Sequence, residues 1–389
     1  MKYQKILKGI KMEYRKFDKL HEASSLFGLG CMRFNGAPSG DSKCDEEKAI
    51  KLIRQAIDGG VTYMDTAYVY LDRTSEIVLG KALQDGYRDK VTIATKMPVW
   101  AVKNWDDMEN LLNEELEKLQ TDHIDFYLMH GINKDGWLKF KEIGADKFFE
   151  EKQKEGKIRY KCFSFHGAYE DFEYIIKDYD WDMVQIQLNY MDIENQAGMK
   201  GLKLAGELGI PVVIMEGLLG GKLARAPKEV KELYDNFPVK RSPVEWAFRW
   251  LGNLPEILTI LSGCNEASQI EENIKIFETI GANVMDDAEL ELVDKVREAY
   301  KSRTKIQCTG CRYCMPCPCG VDIPRVFSAW NEASLYDIPS NENWNYKELK
   351  RLEQTPDKCV KCGKCVKACP QGLDIPTALQ EAWADLSAR

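Results

Sequence analysis

The chain reads as a (β/α)8 barrel, or TIM barrel, followed by a small α-helical, cysteine-rich domain. Three observations predict this. Eight short strand-like runs alternate with amphipathic helical stretches over about 250 residues, the length and rhythm of such a barrel. Several runs end on a reactive side chain: VTYMD on Asp65, with Tyr70 five residues further on, TIATK on Lys96, and IDFYLMH on His130. Parallel strands in a barrel gather such ends on one face, where barrels keep their chemistry. Finally, nine of the 13 cysteines crowd into residues 308–369, beyond the alternating region.

The elements follow in order. SLFGLGCM (25–32) is an apolar run bounded by glycines, consistent with a buried strand. DEEKAIKLIRQAIDGG places Ala49, Ile50, Ile53, Ala56 and Ile57 on one helical face and stops at Gly59-Gly60. VTYMDT is the second strand, and a helix follows in RTSEIVLGKALQDG. KVTIATK, a helix in NWDDMENLLNEELEKLQ, HIDFYLMHG, and a helix around 146–156 continue the series. IRYKCFSFHG, a helix in YEDFEYIIKDY, MVQIQLN, a helix in KGLKLAGELG, and PVVIMEG come next. A helix in SPVEWAFRWLG, the strand ILTILSG and a helix in NEASQIEENIKIF complete the alternation, and DDAELELVDKVREAYKS adds one more amphipathic helix. A doubly wound open sheet is the alternative, but no G-x-G-x-x-G follows an early strand. We place the barrel at residues 12–303 and the cysteine-rich domain at 304–389.

With 44% hydrophobic and 30% charged residues, the 389-residue chain has the composition of a soluble globular protein. A net charge of −8 argues against a nucleic-acid binder, which needs a basic face. No apolar run approaches the roughly 18 residues of a membrane span. The N-terminus has basic residues but no apolar stretch of signal-peptide length, so the expected address is cytoplasmic. Met12 is an alternative start, since MEYRKF opens the first strand-like pattern.

The strand-end residues form a set that suits carbonyl chemistry. Reducing a carbonyl takes a hydride donor and an acid that protonates the oxygen as negative charge develops on it. Tyrosine, with an ordinary pKa of about 10, is a weak acid unless a nearby ammonium favours its phenolate. Lys96 can supply that charge, Asp65 can pair with the lysine, and His130 can donate a hydrogen bond to the substrate oxygen. Spacing from Asp65 favours Tyr70 over the neighbouring Tyr68 as the acid.

GLGCMRF, DTAYVY with SEIVLGKAL, TK, LMHG, FSFHG, VQIQLNY and SGCNEASQIEEN, in that order over roughly residues 12–300, resemble the strand-end motifs of the aldo-keto reductases. The resemblance implies a nicotinamide cofactor, NADPH or NADH, and gives Asp65, Tyr70, Lys96 and His130 the roles just described. It places Ser164 and Gln185 near the carboxamide, and Gly220, Gly221 and Lys222 near the pyrophosphate. It places Ser262, Gly263, Gln269, Glu272 and Asn273 near the adenosine end. Departures are visible too. Phe165 stands where many members have asparagine, and Met215 and Glu216 where many have a stacking aromatic. Gly263 and Gln269 align with the basic pair that often grips a 2′-phosphate, which leaves the choice between NADPH and NADH open. His166, at a mouth loop, is read either as a substrate contact or as a structural histidine.

In the tail, CVKCGKCVKACP is C-x2-C-x2-C-x3-C-P, the bacterial ferredoxin spacing. CTGCRYCMPCPCG is a shorter version, and CPCGVDIP is echoed by CPQGLDIP. Three thiolates so spaced reach three corners of one cubane while the fourth cysteine serves the other cluster. One 4Fe-4S cluster is therefore assigned to Cys308, Cys311, Cys314 and Cys369. The other is assigned to Cys359, Cys362, Cys365 and Cys317, with Cys319 as the alternative to Cys317. Two zinc sites are the competing reading, but zinc sites favour pairs of cysteines rather than regular triplets followed by Cys-Pro. A subset of bacterial and archaeal aldo-keto reductases looks similar in carrying such a tail. The expected function is NAD(P)H-dependent reduction of a small carbonyl, or the reverse oxidation of an alcohol, with clusters that are structural or that serve a redox partner protein. The alternative is an electron-transfer protein whose barrel is a docking platform.

Overall fold

The computed structural model describes residues 12–36 and 43–389. Residues 1–11, on which most of the leader reading rests, lie outside the described residues. Contacts divide the chain into two units, Met1–Gly220 with Val244–Asp286, and Gly221–Pro243 with Asp287–Arg389.

In the first unit, β1 (Tyr14–Arg15) and β2 (Ser24–Ser25) form an antiparallel pair. The barrel proper is β3 (Phe27–Gly30), β4 (Tyr63–Asp65), β5 (Thr92–Met97), β6 (Ile124–Met129), β7 (Ile158–Phe165), β8 (Met183–Gln187), β9 (Val212–Met215) and β10 (Ile257–Ser262). These eight strands are the eight expected runs, each pairs in parallel with its neighbours, and β10 closes on β3. Closure needs tight approach at Gly28, where an added Cβ would stand 2.4 Å from Thr259 Cγ2. Inside, Tyr63, Ala94, Phe126, Leu128, Tyr160, Cys162, Met183, Val213 and Leu258 pack together, and Leu20 from the β1–β2 turn joins them. Arg15 donates to the carbonyls of Leu254 and Ile257 at 2.7 Å and fastens the β1–β2 pair there.

The outer helices obey the expected punctuation. Asp45 caps the helix Glu46–Asp58 and Asn104 caps Trp105–Leu119, each accepting a backbone N–H from the first turn. On the first of these helices Leu52 is buried and Ile50 only partly so, because the regular i, i+3, i+4, i+7, i+8 stripe from Ala49 includes Leu52 and passes Ile50 by. A helix at Lys134–Glu142, opened by an Asn133 N-cap, precedes the expected one at Ala145–Lys154.

The second unit has its own core. Helix Ile323–Tyr336 packs against helices Trp344–Arg351 and Ile375–Ala388 through Val326, Phe327, Trp330, Leu349, Leu379 and Leu386. The echoed D-I-P motifs are two helix starts, with Asp322 and Asp374 at the N-cap positions and Pro324 and Pro376 in the first turns, and only the Asp322 side chain accepts a first-turn N–H. Among the described residues no helix is long and apolar enough to cross a membrane.

Candidate active site

Register determines which side chains meet at the C-terminal ends of the strands. Gly30 pairs with Asp65, Lys96 with Leu128, and Ser164 with Gln185, so consecutive strand ends lie at one level. Lys96 and Asp65 are almost wholly buried, and Lys96 Nζ donates to Asp65 Oδ1 at 2.7 Å and to the Thr66 carbonyl at 2.8 Å. The same ammonium lies 5.0 Å from the centre of the Tyr70 ring. His130 stands edge-on to Tyr70 with 6.1 Å between ring centres, so all four expected residues converge.

Local backbone holds Tyr70 in place. Leu71, Asp72 and Arg73, directly after it, adopt positive φ of 53°, 54° and 64°. Three successive non-glycine residues in that region cost on the order of 1 kcal/mol each. Burial of Leu71 and the contacts of Arg73 with Tyr68 and Glu114 hold the turn. Tyr68 instead donates its hydroxyl to Glu114 at 3.0 Å and stacks under Arg73.

Electrostatics set the protonation states. Burial works to lower the Lys96 pKa, but the Asp65 carboxylate and Tyr70 outweigh it and hold the group above the ordinary lysine value. Burial pushes Asp65 above the usual carboxylate range, with Lys96 and Gln185 opposing. The 2.7 Å contact and the raised proton affinity of Lys96 together make this pair ammonium and carboxylate. Tyr70 is pushed up by burial, opposed by Lys96 and reinforced by Asp65. In the free protein, therefore, the lysine limits the rise of the phenol's pKa rather than bringing it below 10. Burial, with Lys96 and His166, lowers His130 to about 3, which makes it a neutral imidazole. Its buried Nδ1 has no hydrogen-bond partner.

The cofactor residues inferred from resemblance fall into two groups. Ser164 accepts from the Gly131 N–H at 2.9 Å, and beside it Gln185 donates to Asp65 Oδ2 at 3.3 Å. Gln185 Oε1 is buried without a partner, an acceptor that fits a carboxamide N–H. The second group is largely committed to the protein's own structure. Gln269 closes a capping box with Glu266 at the start of helix Ala267–Phe277, and Asn273 donates to Ser262 at 3.1 Å. Glu272 is exposed on that helix. Gly220 and Gly221, with φ of 68° and 90°, sit in a 3-10 segment over Leu219–Ala224. Lys222, within the second unit, is ion-paired with Glu332 of helix Ile323–Tyr336.

Sequence reasoning missed two residues at this face. Arg33, after β3, lays its stem over Gly263, where an added Cβ would stand 3.1 Å from Arg33 Cδ. Its Nη2 lies 3.5 Å from the corresponding position at Gly220. Trp100, on the turn after β5, is 63% exposed with its ring centre 5.3 Å from that of His130. Phe165 is instead wholly buried against Phe172, and the exposed His166 contacts Gln196 at 3.2 Å.

In the second unit, Cys308, Cys311, Cys314 and Cys369 line one cavity with Phe327 and Leu373. Cys317, Cys319, Cys359, Cys362 and Cys365 line another, and Cys314 borders both. None of the 13 cysteines is joined in a disulfide. No three His, Cys, Asp or Glu side chains among the described residues are placed to share one ion. Thiols spread around a cavity suit the corners of a cubane, whereas a lone zinc ion draws four ligands close together.

The chain is similar to known oxidoreductases in sequence and fold. The chain is 26% identical over 302 residues to YqkF of Bacillus subtilis (strain 168), described as an uncharacterized oxidoreductase, covering 68% of this chain and 90% of that protein. It is 29% identical over 213 residues to the probable aldo-keto reductase 1 of Glycine max, covering 51% and 58%. The holo form of the aldo-keto reductase AKR11C1 from Bacillus halodurans superposes with a TM-score of 0.61 at 25% identity, over 73% of this chain and 96% of that one. An aldo-keto reductase from Klebsiella pneumoniae in complex with NADPH shares the fold, with a TM-score of 0.58 at 20% identity over 74% and 95%. Residues 307–373 match the 4Fe-4S dicluster domain, and residues 27–298 match the aldo/keto reductase family, to which this chain belongs.

Proposed function

We propose that the barrel carries out NAD(P)H-dependent reduction of a small carbonyl compound, or the reverse oxidation, and that the tail holds two 4Fe-4S clusters. The observation that carries the first part is Lys96, held by Asp65 at 2.7 Å and lying over Tyr70 beside His130. When bound, the nicotinamide supplies the hydride. Tyr70 then gives its phenolic proton to the carbonyl oxygen, and the Lys96 ammonium stabilises the phenolate left behind. Neutral His130 has a depressed pKa of about 3, so it orients the oxygen by hydrogen bonding and is not a source of protons. Gln185 Oε1 and Ser164 would hold the carboxamide, and the Arg33 guanidinium would take a phosphate group in place of the occupied Lys222. The NADPH complex of the Klebsiella protein supports a nicotinamide dinucleotide as the ligand class.

In the tail, the two cavities support Cys308, Cys311, Cys314 and Cys369 as one ligand set. Cys359, Cys362 and Cys365 would form the other, completed by Cys317 or by Cys319. The functional boundary is placed near residue 303, and the proposed setting is the cytoplasm, where cysteines stay reduced and available to clusters. The test is NADPH and NADH oxidation against a panel of aldehydes and ketones by anaerobically purified protein. Wild type is expected to turn over, and Tyr70→Phe to lose about 100-fold or more while still binding cofactor. A Tyr70→Phe variant with full turnover would remove Tyr70 from the mechanism.

A further inference from the structure

The cysteine runs carry a charge pattern opposite to that of the rest of the chain. Residues 307–320 and 358–372 contain Arg312, Lys358, Lys361, Lys364 and Lys367 and no acidic residue, in a chain of net charge −8. Arg312 and Lys358 reach Asp322 and Glu353 only at 3.6 Å. Lys361, Lys364 and Lys367 are exposed and have no ion pair among the described residues.

Apolar side chains stand among these cations. Tyr313 is 71% exposed and Val360 69%, and Val366 is also exposed. Tyr313, Val360, Lys361 and Lys364 line the cavity of Cys359, Cys362 and Cys365, while Arg312 lines the cavity of Cys308, Cys311 and Cys314. Cys311 and Cys362 are themselves exposed, so both cavities reach the surface beneath this patch. Exposed apolar side chains beside three unpaired lysines match the anatomy of a transient interface that steers in an oppositely charged partner.

We propose that this face docks an acidic one-electron carrier protein. The inference rests on the cysteines being cluster ligands. One electron leaves the carrier's reduced cofactor and enters the nearer cluster, oxidising the one and reducing the other by one unit, with no proton moved and no bond made. An anionic membrane is the competing occupant, but the patch is short, and no amphipathic helix presents it: Lys364–Ala368 has only five residues.

The test uses the full-length, anaerobically isolated protein, with iron content measured first. Protein without iron overturns both the cluster reading and this proposal. With iron present, the probe is a reduced plant-type [2Fe–2S] ferredoxin, followed by stopped-flow bleaching of the tail's absorbance and by titration calorimetry. The bleaching rate and the affinity are each expected to fall about tenfold or more between low and high salt. A comparable fall is expected in K361E/K364E/K367E at unchanged iron content and unchanged aldehyde reduction. If that variant loses iron, the milder K364Q/K367Q and the wild-type salt dependence carry the test. Rates and affinity indifferent to salt and to these substitutions overturn the proposal. So does charge-dependent binding to phosphatidylserine vesicles without any reaction with the ferredoxin, which would assign the patch to a membrane.

Discussion

Replacing Lys96 with methionine tests the electrostatic core of the site. Asp65 is 3% exposed, and its partners are Lys96 at 2.7 Å and Gln185 at 3.3 Å. Removing the ammonium strands a buried carboxylate, which costs about 3–5 kcal/mol. The Thr66 carbonyl also loses its donor at 2.8 Å. Burial, already raising Asp65, would then drive it to take up a proton. Tyr70 would lose the one charge that limits its rise, and turnover is expected to fall about 10²–10⁴-fold. Denaturant unfolding and kcat/KM, measured on Lys96→Met, Asp65→Asn and the double variant, separate the two effects. Asp65→Asn removes the orphaned charge, so the double variant should regain about 2 kcal/mol or more of stability but no activity. Lys96→Met as stable as wild type, or activity restored along with stability, would mean that the ammonium neither holds the buried carboxylate nor acts on Tyr70.

Three further outcomes are expected. Arg33→Ala should weaken NADPH binding about tenfold or more with little change in unfolding free energy, as read by fluorescence titration, since the lost contact is a charge-assisted one. Cys317→Ser and Cys319→Ser should differ in iron content and in the electron paramagnetic resonance of the reduced protein, and the one that loses a cluster signal identifies the fourth ligand. His130 has a folded pKa of about 3 against 6.5 ordinarily, so its stabilising contribution is complete above about 6.5 and is lost as pH falls towards 3. At about 1.4 kcal/mol per unit this amounts to a few kcal/mol, and unfolding curves of His130→Gln should be correspondingly flatter over that window.

The barrel was legible because each strand and helix is announced locally, by an apolar run, a cap or a glycine stop. The strand-end residues were legible because parallel register brings successive ends to one level: Asp65 and Lys96 are 31 positions apart in sequence yet 2.7 Å apart in space. What the sequence hid depends on long-range packing. Nothing near Arg33 in the chain indicates that its stem would cover Gly263, and nothing near Lys222 indicates that Glu332 would occupy it. Gln269 has the spacing of a cofactor contact and of a capping box alike, and helix geometry employs it as the latter. The ammonium's effect on Tyr70 was anticipated in sign, but burial of the phenol, which dominates, is a property of the folded site.

In the proposed reaction a hydride passes directly to a substrate carbon while Tyr70 protonates the oxygen. The most direct measurement follows deuterium from NADPH labelled at the transferred position into the alcohol formed from an accepted aldehyde. Deuterium is expected on the former carbonyl carbon with wild-type protein, and almost no labelled product with Tyr70→Phe. Deuterium released to water, or full labelled turnover by Tyr70→Phe, would contradict it.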